Sequence, residues 1–191
     1  LTPDIARNFL VPGAWSNGTL AWSFDSGSYA FDYLAASELL RIDYRLLLTD
    51  ASGQSVELPV VVKILGSNDV PRLAPDTVNT VTFDEAVTMA ASGTLSVSDA
   101  DYSDVVSVGV SAVSASGTTA GLALTNAELR NLLGVTGGRA GGQAMGGINW
   151  SFAGTDPFDY LRQGETLQLD YTIRATDAAG ATGDHHVRVI V

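Results

Sequence analysis

The sequence predicts an all-β protein built of β-sandwich modules in tandem, each with one short helix, and three observations lead there. First, one stretch occurs twice. WSF at Trp22, FDYL at Phe31 to Leu34, Glu38, Asp43-Tyr44 and TDASG at Thr49 to Gly53 return as WSF at Trp150, FDYL at Phe158 to Leu161, Glu165, Asp170-Tyr171 and TDAAG at Thr176 to Gly180. The offset is 128 residues from Trp22 to Trp150 and 127 from Asp50 to Asp177, as expected of a tandem array. Second, the segments after FDYL alternate apolar and polar residues with period two, the mark of a strand buried on one face. Third, the apolar runs are short, separated by turn residues, and follow no strand–helix–strand pattern.

Size and charge narrow the function. A chain of 191 residues suffices for one or two domains, each with its own core, and the lack of cysteine means that no disulfide framework is needed. Ten Lys and Arg against 21 Asp and Glu give a net charge of −11, which repels phosphate backbones and anionic lipid. Nucleic acid is therefore not an expected partner; an acidic surface suits divalent cations, high salt or solubility. No apolar run is long enough to span a bilayer, so membrane insertion is not expected, and the opening LTPDIARN lacks a basic, apolar signal pattern. On that basis the chain reads as an excised piece of a longer protein.

Taken in order, residues 1–10 (LTPDIARNFL) match 124–133 (LTNAELRNLL) at an offset of 123. Both begin as helices of about two turns, with Thr2 and Thr125 as N-caps, Pro3 in the first turn of one and Glu128 completing a capping box in the other. The second copy then carries GVTGGRAGGQAMGG, a glycine-rich loop predicted to be mobile and unpacked. Trp22 and Trp150 are expected in sandwich cores. In the first copy Leu40, Ile42, Tyr44, Leu46 and Leu48 alternate with mostly polar neighbours; Leu167, Leu169, Tyr171 and Ile173 do so in the second. A turn follows, and Val60, Val62 and Ile64, or Val187, Val189 and Val191, return. Residues 66–72 (GSNDVPR) break the pattern, so residues 1–70 read as the C-terminal part of a first module and residues 71–191 as a complete second one. The latter opens with strands expected near 78–83, 93–98 and 105–112, the last with Val106, Val108, Val110 and Ala112 on one face. Such strands argue for a sandwich of immunoglobulin or cadherin type.

The chemistry-bearing candidates are acidic. Asp99, Asp101 and Asp104 fall within SDADYSD directly after a strand, where three close carboxylates repel one another unless a cation that favours oxygen ligands sits among them. Turn-capping aspartates are the alternative. Asn68 and Asp69 in the connector, and Glu85 in FDEA, are placed to reach the same end of the module. Counting from Asp99 puts Asp104 where an EF-hand needs glycine and Val110 where it needs glutamate, and the glycine-rich loop lacks the aspartates of a calcium-binding nonapeptide. Asp50 and Asp177, at the heads of turns, are expected to bond their own backbone, with metal binding the weaker reading. Glu38 and Glu165 are expected to bond the FDYL turn. His185 and His186 point to opposite faces of a strand and cannot share a metal. Asp156-Pro157 is chemically labile, though a tight turn is the simpler reading, and Asn17-Gly18-Thr19 fits a glycosylation sequon. No nucleophilic triad, phosphate loop or zinc-protease motif is present, so the chain is not expected to be an enzyme.

The series W-x-F, FDYL, Glu, Asp-Tyr, Thr-Asp-Ala-x-Gly and Gly-Ser-Asn-Asp-Val-Pro, with SDADYSD after GTLSV, resembles the VCBS and cadherin-like repeats of very large bacterial surface adhesins, including those with RTX tails exported by type I secretion. That resemblance implies immunoglobulin/cadherin-like sandwiches outside the cell, Ca2+ at their junctions and a spacer or adhesive role. It maps Asn68 and Asp69 onto connector ligands and Asp99 and Asp101 onto the paired aspartates of the following module. The partners implied are neighbouring modules of the same chain and a cell-surface glycan or protein. A second reading is a ligand-binding module whose loops grip a glycan or protein, with Tyr29 and Tyr102 the few aromatics placed in loops.

Overall fold

The structure, a computed structural model, describes residues 2–75, 79–84, 88–154 and 158–191. It divides into two compact units, Leu1–Ser67 and Asn68–Val191.

Unit 1 opens with helix α1 (Pro3–Arg7), with Thr2 at the N-cap and Pro3 in the first turn. The Thr2 side chain makes no capping hydrogen bond. Strands β1 (Leu10–Ser16) and β2 (Thr19–Phe24) form a hairpin turned at Asn17 and Gly18, both with positive φ. Strands β3 (Leu39–Thr49) and β4 (Ser55–Leu65) form a longer hairpin. Phe9 joins the pieces, with its ring centroid 5.8 Å from Phe24, 5.7 Å from Tyr29 and 6.1 Å from Phe31.

Unit 2 is a sandwich of two four-stranded sheets. One sheet runs in the order β5 (Arg72–Pro75), β7 (Met89–Ser98), β10 (Met145–Gly154), β9 (Leu133–Gly137). The other runs β6 (Thr80–Thr82), β12 (Thr182–Ile190), β11 (Leu167–Thr176), β8 (Ser107–Gly117), with α2 (Asn126–Asn131) following β8 in the chain. All pairs are antiparallel except β6 with β12. Inward residues of both sheets are sealed, among them Leu95, Val97, Trp150, Phe152, Tyr171, Ile173, Val187 and Val189. The capping box on α2 forms as its sequence demands: the Glu128 amide donates to Thr125 Oγ1 at 3.3 Å and Thr125 N donates to Glu128 Oε2 at 2.8 Å.

The two copies repeat one another in register as well as in sequence. Leu10 pairs with Phe24 and Pro12 with Trp22 in unit 1; Leu133 pairs with Phe152 and Val135 with Trp150 in unit 2. Tyr44 opposite Val60 corresponds to Tyr171 opposite Val187. Each of these tyrosines ties its strand to its helix: Tyr44 donates to the Ala6 carbonyl and Tyr171 to that of Leu129, both at 2.8 Å. Glu38 and Glu165 do hold the FDYL turn, accepting from Ala35 N at 3.0 Å and Arg162 N at 2.9 Å.

Three expectations need correction. Trp150 is 1% exposed but Trp22 is 47% exposed, because no strand equivalent to β7 lies beside β2 among the described residues. The glycine-rich segment is not a mobile loop: it supplies β9, the start of β10 and the buried Arg139 between them. On β8, a register shift opposite Thr172 and Ile173 moves the inward phase to Val113 and Ala115 and leaves Ala112 exposed.

Replacing Tyr171 with Phe removes its hydrogen bond to the Leu129 carbonyl, which keeps the Leu132 amide as a donor at 3.1 Å, and should cost unit 2 about 0.5–1.5 kcal/mol in urea unfolding followed by tryptophan emission.

Candidate functional site

At one end of unit 2, β7 runs out into SDADYSD and the acidic residues turn inward. Asp99 is 8% exposed, Asp101 0%, Asp104 8% and Asp177 6%. Local backbone chemistry accounts for part of this. The Asp101 amide donates to Asp99 Oδ1 at 3.0 Å, and Asp104 N donates to the Asp101 carbonyl at 3.2 Å, which curls the loop back on itself. Asp177 heads the turn between β11 and β12 and accepts from Ala181 N at 2.8 Å.

The entry segment of unit 2 closes over these groups. Asn68 Nδ2 donates to Asp177 Oδ2 at 2.9 Å, and Asp69 N donates to Asp101 Oδ2 at 2.8 Å. The sequence-predicted residues Asn68, Asp69, Asp99, Asp101 and Asp104 thus gather at one place, with Asp177 added. Asp50, the unit 1 equivalent of Asp177, is instead exposed and accepts only from its own turn, at Ser52 and Gln54. Glu85 and Asp156-Pro157 lie outside the described residues.

Arg139 is the residue that sequence reading missed. Only 2% exposed, its guanidinium lies beneath the acidic loop and donates to the carbonyls of Asp104 at 2.8 Å, Asp101 at 2.9 Å and Gln143 at 2.6 Å. Arg139 also exchanges backbone hydrogen bonds with Val106, at 3.0 and 2.9 Å. Glycine is what lets this segment come so close. A Cβ at Gly138 would meet the Val106 carbonyl, and one at Gly141 the Ser103 carbonyl. The available signal was a lone arginine inside a glycine run, facing an acidic loop elsewhere in the chain.

The site is strongly charged and incompletely satisfied. Four carboxyl groups and one guanidinium are buried at this end, so full ionisation leaves a surplus of three negative charges. Burial, the largest cause, pushes Asp99 and Asp101 above the ordinary carboxylate range, and their acidic neighbours push the same way. Oxygens Asn68 Oδ1, Asp99 Oδ2, Asp101 Oδ1 and Asp104 Oδ2 are buried without a hydrogen-bond partner. Each is a hard oxygen donor of the kind that Ca2+ takes. Among the described residues, no group of three Asp, Glu, His or Cys is arranged to hold a metal by itself, so an ion would also draw on amide or backbone oxygens.

His185 is half-buried and His186 exposed, with His186 Nδ1 3.3 Å from Thr172 Oγ1. Tyr29 packs on Phe9 and Phe31, whereas Tyr102 is 53% exposed at the tip of the acidic loop.

Arg139→Lys keeps the charge but loses the planar fork across the loop carbonyls; a loss of about 3 kcal/mol from unit 2 is expected in denaturant unfolding. His185 makes a separate pH prediction. Burial first, and then His186, hold it below its ordinary value of 6.5. The unfolded chain therefore binds its proton first, and stability falls as pH drops through 6.5 towards the lowered value. His185→Gln should flatten that part of a pH-stability curve.

Comparison with known proteins finds no matching family model and no matching curated protein. Among solved structures, the chain is similar to the CooA pilin subunit from enterotoxigenic Escherichia coli, at 15% identity and a TM-score of 0.39, over 64% of this chain and 97% of the pilin.

Proposed function

We propose that the chain is a structural extender of a secreted or bacterial cell-surface adhesin, with Ca2+ bound where the chain enters the complete module. The buried, unpartnered oxygens of Asn68, Asp99, Asp101 and Asp104 carry this reading, because a divalent cation is what would offset their uncompensated charge. The repeated unit supports the array. Two facing sheets of almost wholly antiparallel strands fit the immunoglobulin/cadherin-like class and the VCBS-type resemblance.

When bound, the ion supplies two positive charges and no chemistry beyond ligation. The unpartnered oxygens of the Asp99–Asp104 loop would hold it together with Asn68 Oδ1 from the entry segment and backbone oxygens, since the carboxylates do not form a metal-holding group of three by themselves. Asp69 continues to donate its amide to Asp101, so the segment is fastened to the loop by a hydrogen bond and an ion together. A connector fastened at one end has fewer conformations, and a series of such connectors keeps modules extended. Because the ion binds the folded loop and not the unfolded chain, it stabilises the fold by about 2.7 kcal/mol at a hundredfold excess over Kd. Glycan or protein binding by the loops has less support, since Tyr102 is the one loop aromatic left exposed of the pair singled out in the sequence.

Asp101→Asn tests the reading with two readouts. Asn keeps an acceptor for Asp69 N but removes a carboxylate that burial disfavours, so the metal-free variant should be at least as stable as the parent. Its response to calcium should be lost. Calorimetric titration and thermal unfolding of the full chain with CaCl2 measure both, and a parent protein that neither takes up calcium nor gains stability at millimolar concentrations overturns the proposal.

A further inference from the structure

Unit 1 reproduces one half of unit 2, and its described residues form no counterpart of the other half. Its hairpins β1–β2 and β3–β4 match β9–β10 and β11–β12 in sequence and register, but among its described residues nothing corresponds to β7, which flanks β10, or to β8, which flanks β11. The consequences are visible along the shared faces. Tyr171 and Ile173 are 0% exposed, whereas their equivalents Tyr44 and Leu46 are only half-buried, and Trp22 stands open where Trp150 is sealed.

A groove lies where a strand equivalent to β8 would run. A groove of about 620 Å3 separates α1 from β3, lined on one side by Pro3, Ala6 and Arg7 and on the other by Leu40, Ile42 and Tyr44. In unit 2 the equivalent residues are Asn126, Leu129 and Arg130 on α2, and Leu167, Leu169 and Tyr171 on β11. There β8 fills the space: it pairs with β11 and touches α2.

We infer that unit 1 is an acceptor for a polypeptide segment of the β7–β8 type, which inserts a β8-like strand antiparallel to β3 in the groove beside α1 and a β7-like strand beside β2. Unit 2 specifies the register. Tyr171 faces Val113 and Leu169 faces Ala115, so a Val113-like residue falls opposite Tyr44 and an Ala115-like residue opposite Ile42. Trp150 faces Gly93, so a glycine falls opposite Trp22 and leaves room for the indole. The occupant is thus apolar on alternate positions and small where Trp22 lies. This inference rests on the internal repeat and not on calcium, so the two can fail separately.

The decisive experiment adds a second copy of residues 68–123 directly ahead of Leu1, which then occupies the place of Leu124, in a Trp15→Phe background that leaves only Trp22 and Trp150. Acrylamide quenching should find one accessible tryptophan without the added copy and none with it. The same added copy carrying Val113→Asp should restore access to Trp22. Continued quenching of Trp22 while Trp150 stays shielded would overturn the inference. So would a Trp22 already shielded in the unextended chain together with dimeric sedimentation, since the cover would then be a second copy's exposed face. Should the extended chain fail to fold, a peptide of sequence Ser107–Gly117 added to the unextended chain must slow amide exchange over residues 40–45; unchanged exchange contradicts the inference equally.

Discussion

Buried negative charge is the constraint on which unit 2 is arranged. A carboxylate withdrawn from water costs several kcal/mol unless it is paired, and Asp99, Asp101, Asp104 and Asp177 are withdrawn together. The protein spends one arginine on them, and that arginine bonds mainly the loop's carbonyls. Arg139 therefore sets the shape of the acidic loop more than it neutralises it. The entry segment adds two donors, Asn68 Nδ2 and the Asp69 amide, and four oxygens still lack a partner. Shape supplied by the protein, with charge left over that a cation would offset, is the division of labour on which the proposed extender role rests.

The comparison between the two units shows how far local sequence determines structure. Hairpin register, the helix–tyrosine tether and the glutamate that holds the FDYL turn are the same in both, because each depends on residues inside one hairpin or its flanking turn. Burial differs, because burial depends on neighbouring strands. Trp22 and Trp150 share the motif WSF and opposite fates, and Asp50 and Asp177 share the motif TDA-x-G with only the second covered by an entry segment.

The same distinction explains what was legible in the sequence. Period-two alternation identified β3, β11 and their partners, and Thr125 with Glu128 announced α2, since these signals are local. Asp99, Asp101 and Asp104 were legible as a cluster, and so was the reach of Asn68 and Asp69. Arg139 was not, because a glycine run reads as a flexible loop until its glycines are seen to admit the carbonyls of Ser103 and Val106. The register shift on β8 was hidden for a similar reason: it is defined only against Thr172 and Ile173 on another strand.

In the proposed role, a divalent cation would complete the acidic loop and fasten the entry segment to it. Hydrogen exchange at the Asp69 amide, which donates to Asp101 Oδ2, reads that fastening directly. Exchange at Asp69 and across residues 99–104 should slow markedly when saturating calcium is added to metal-free protein, with little change in β11 and β12. An Asp69 amide that exchanges at the same rate with and without calcium would contradict the account.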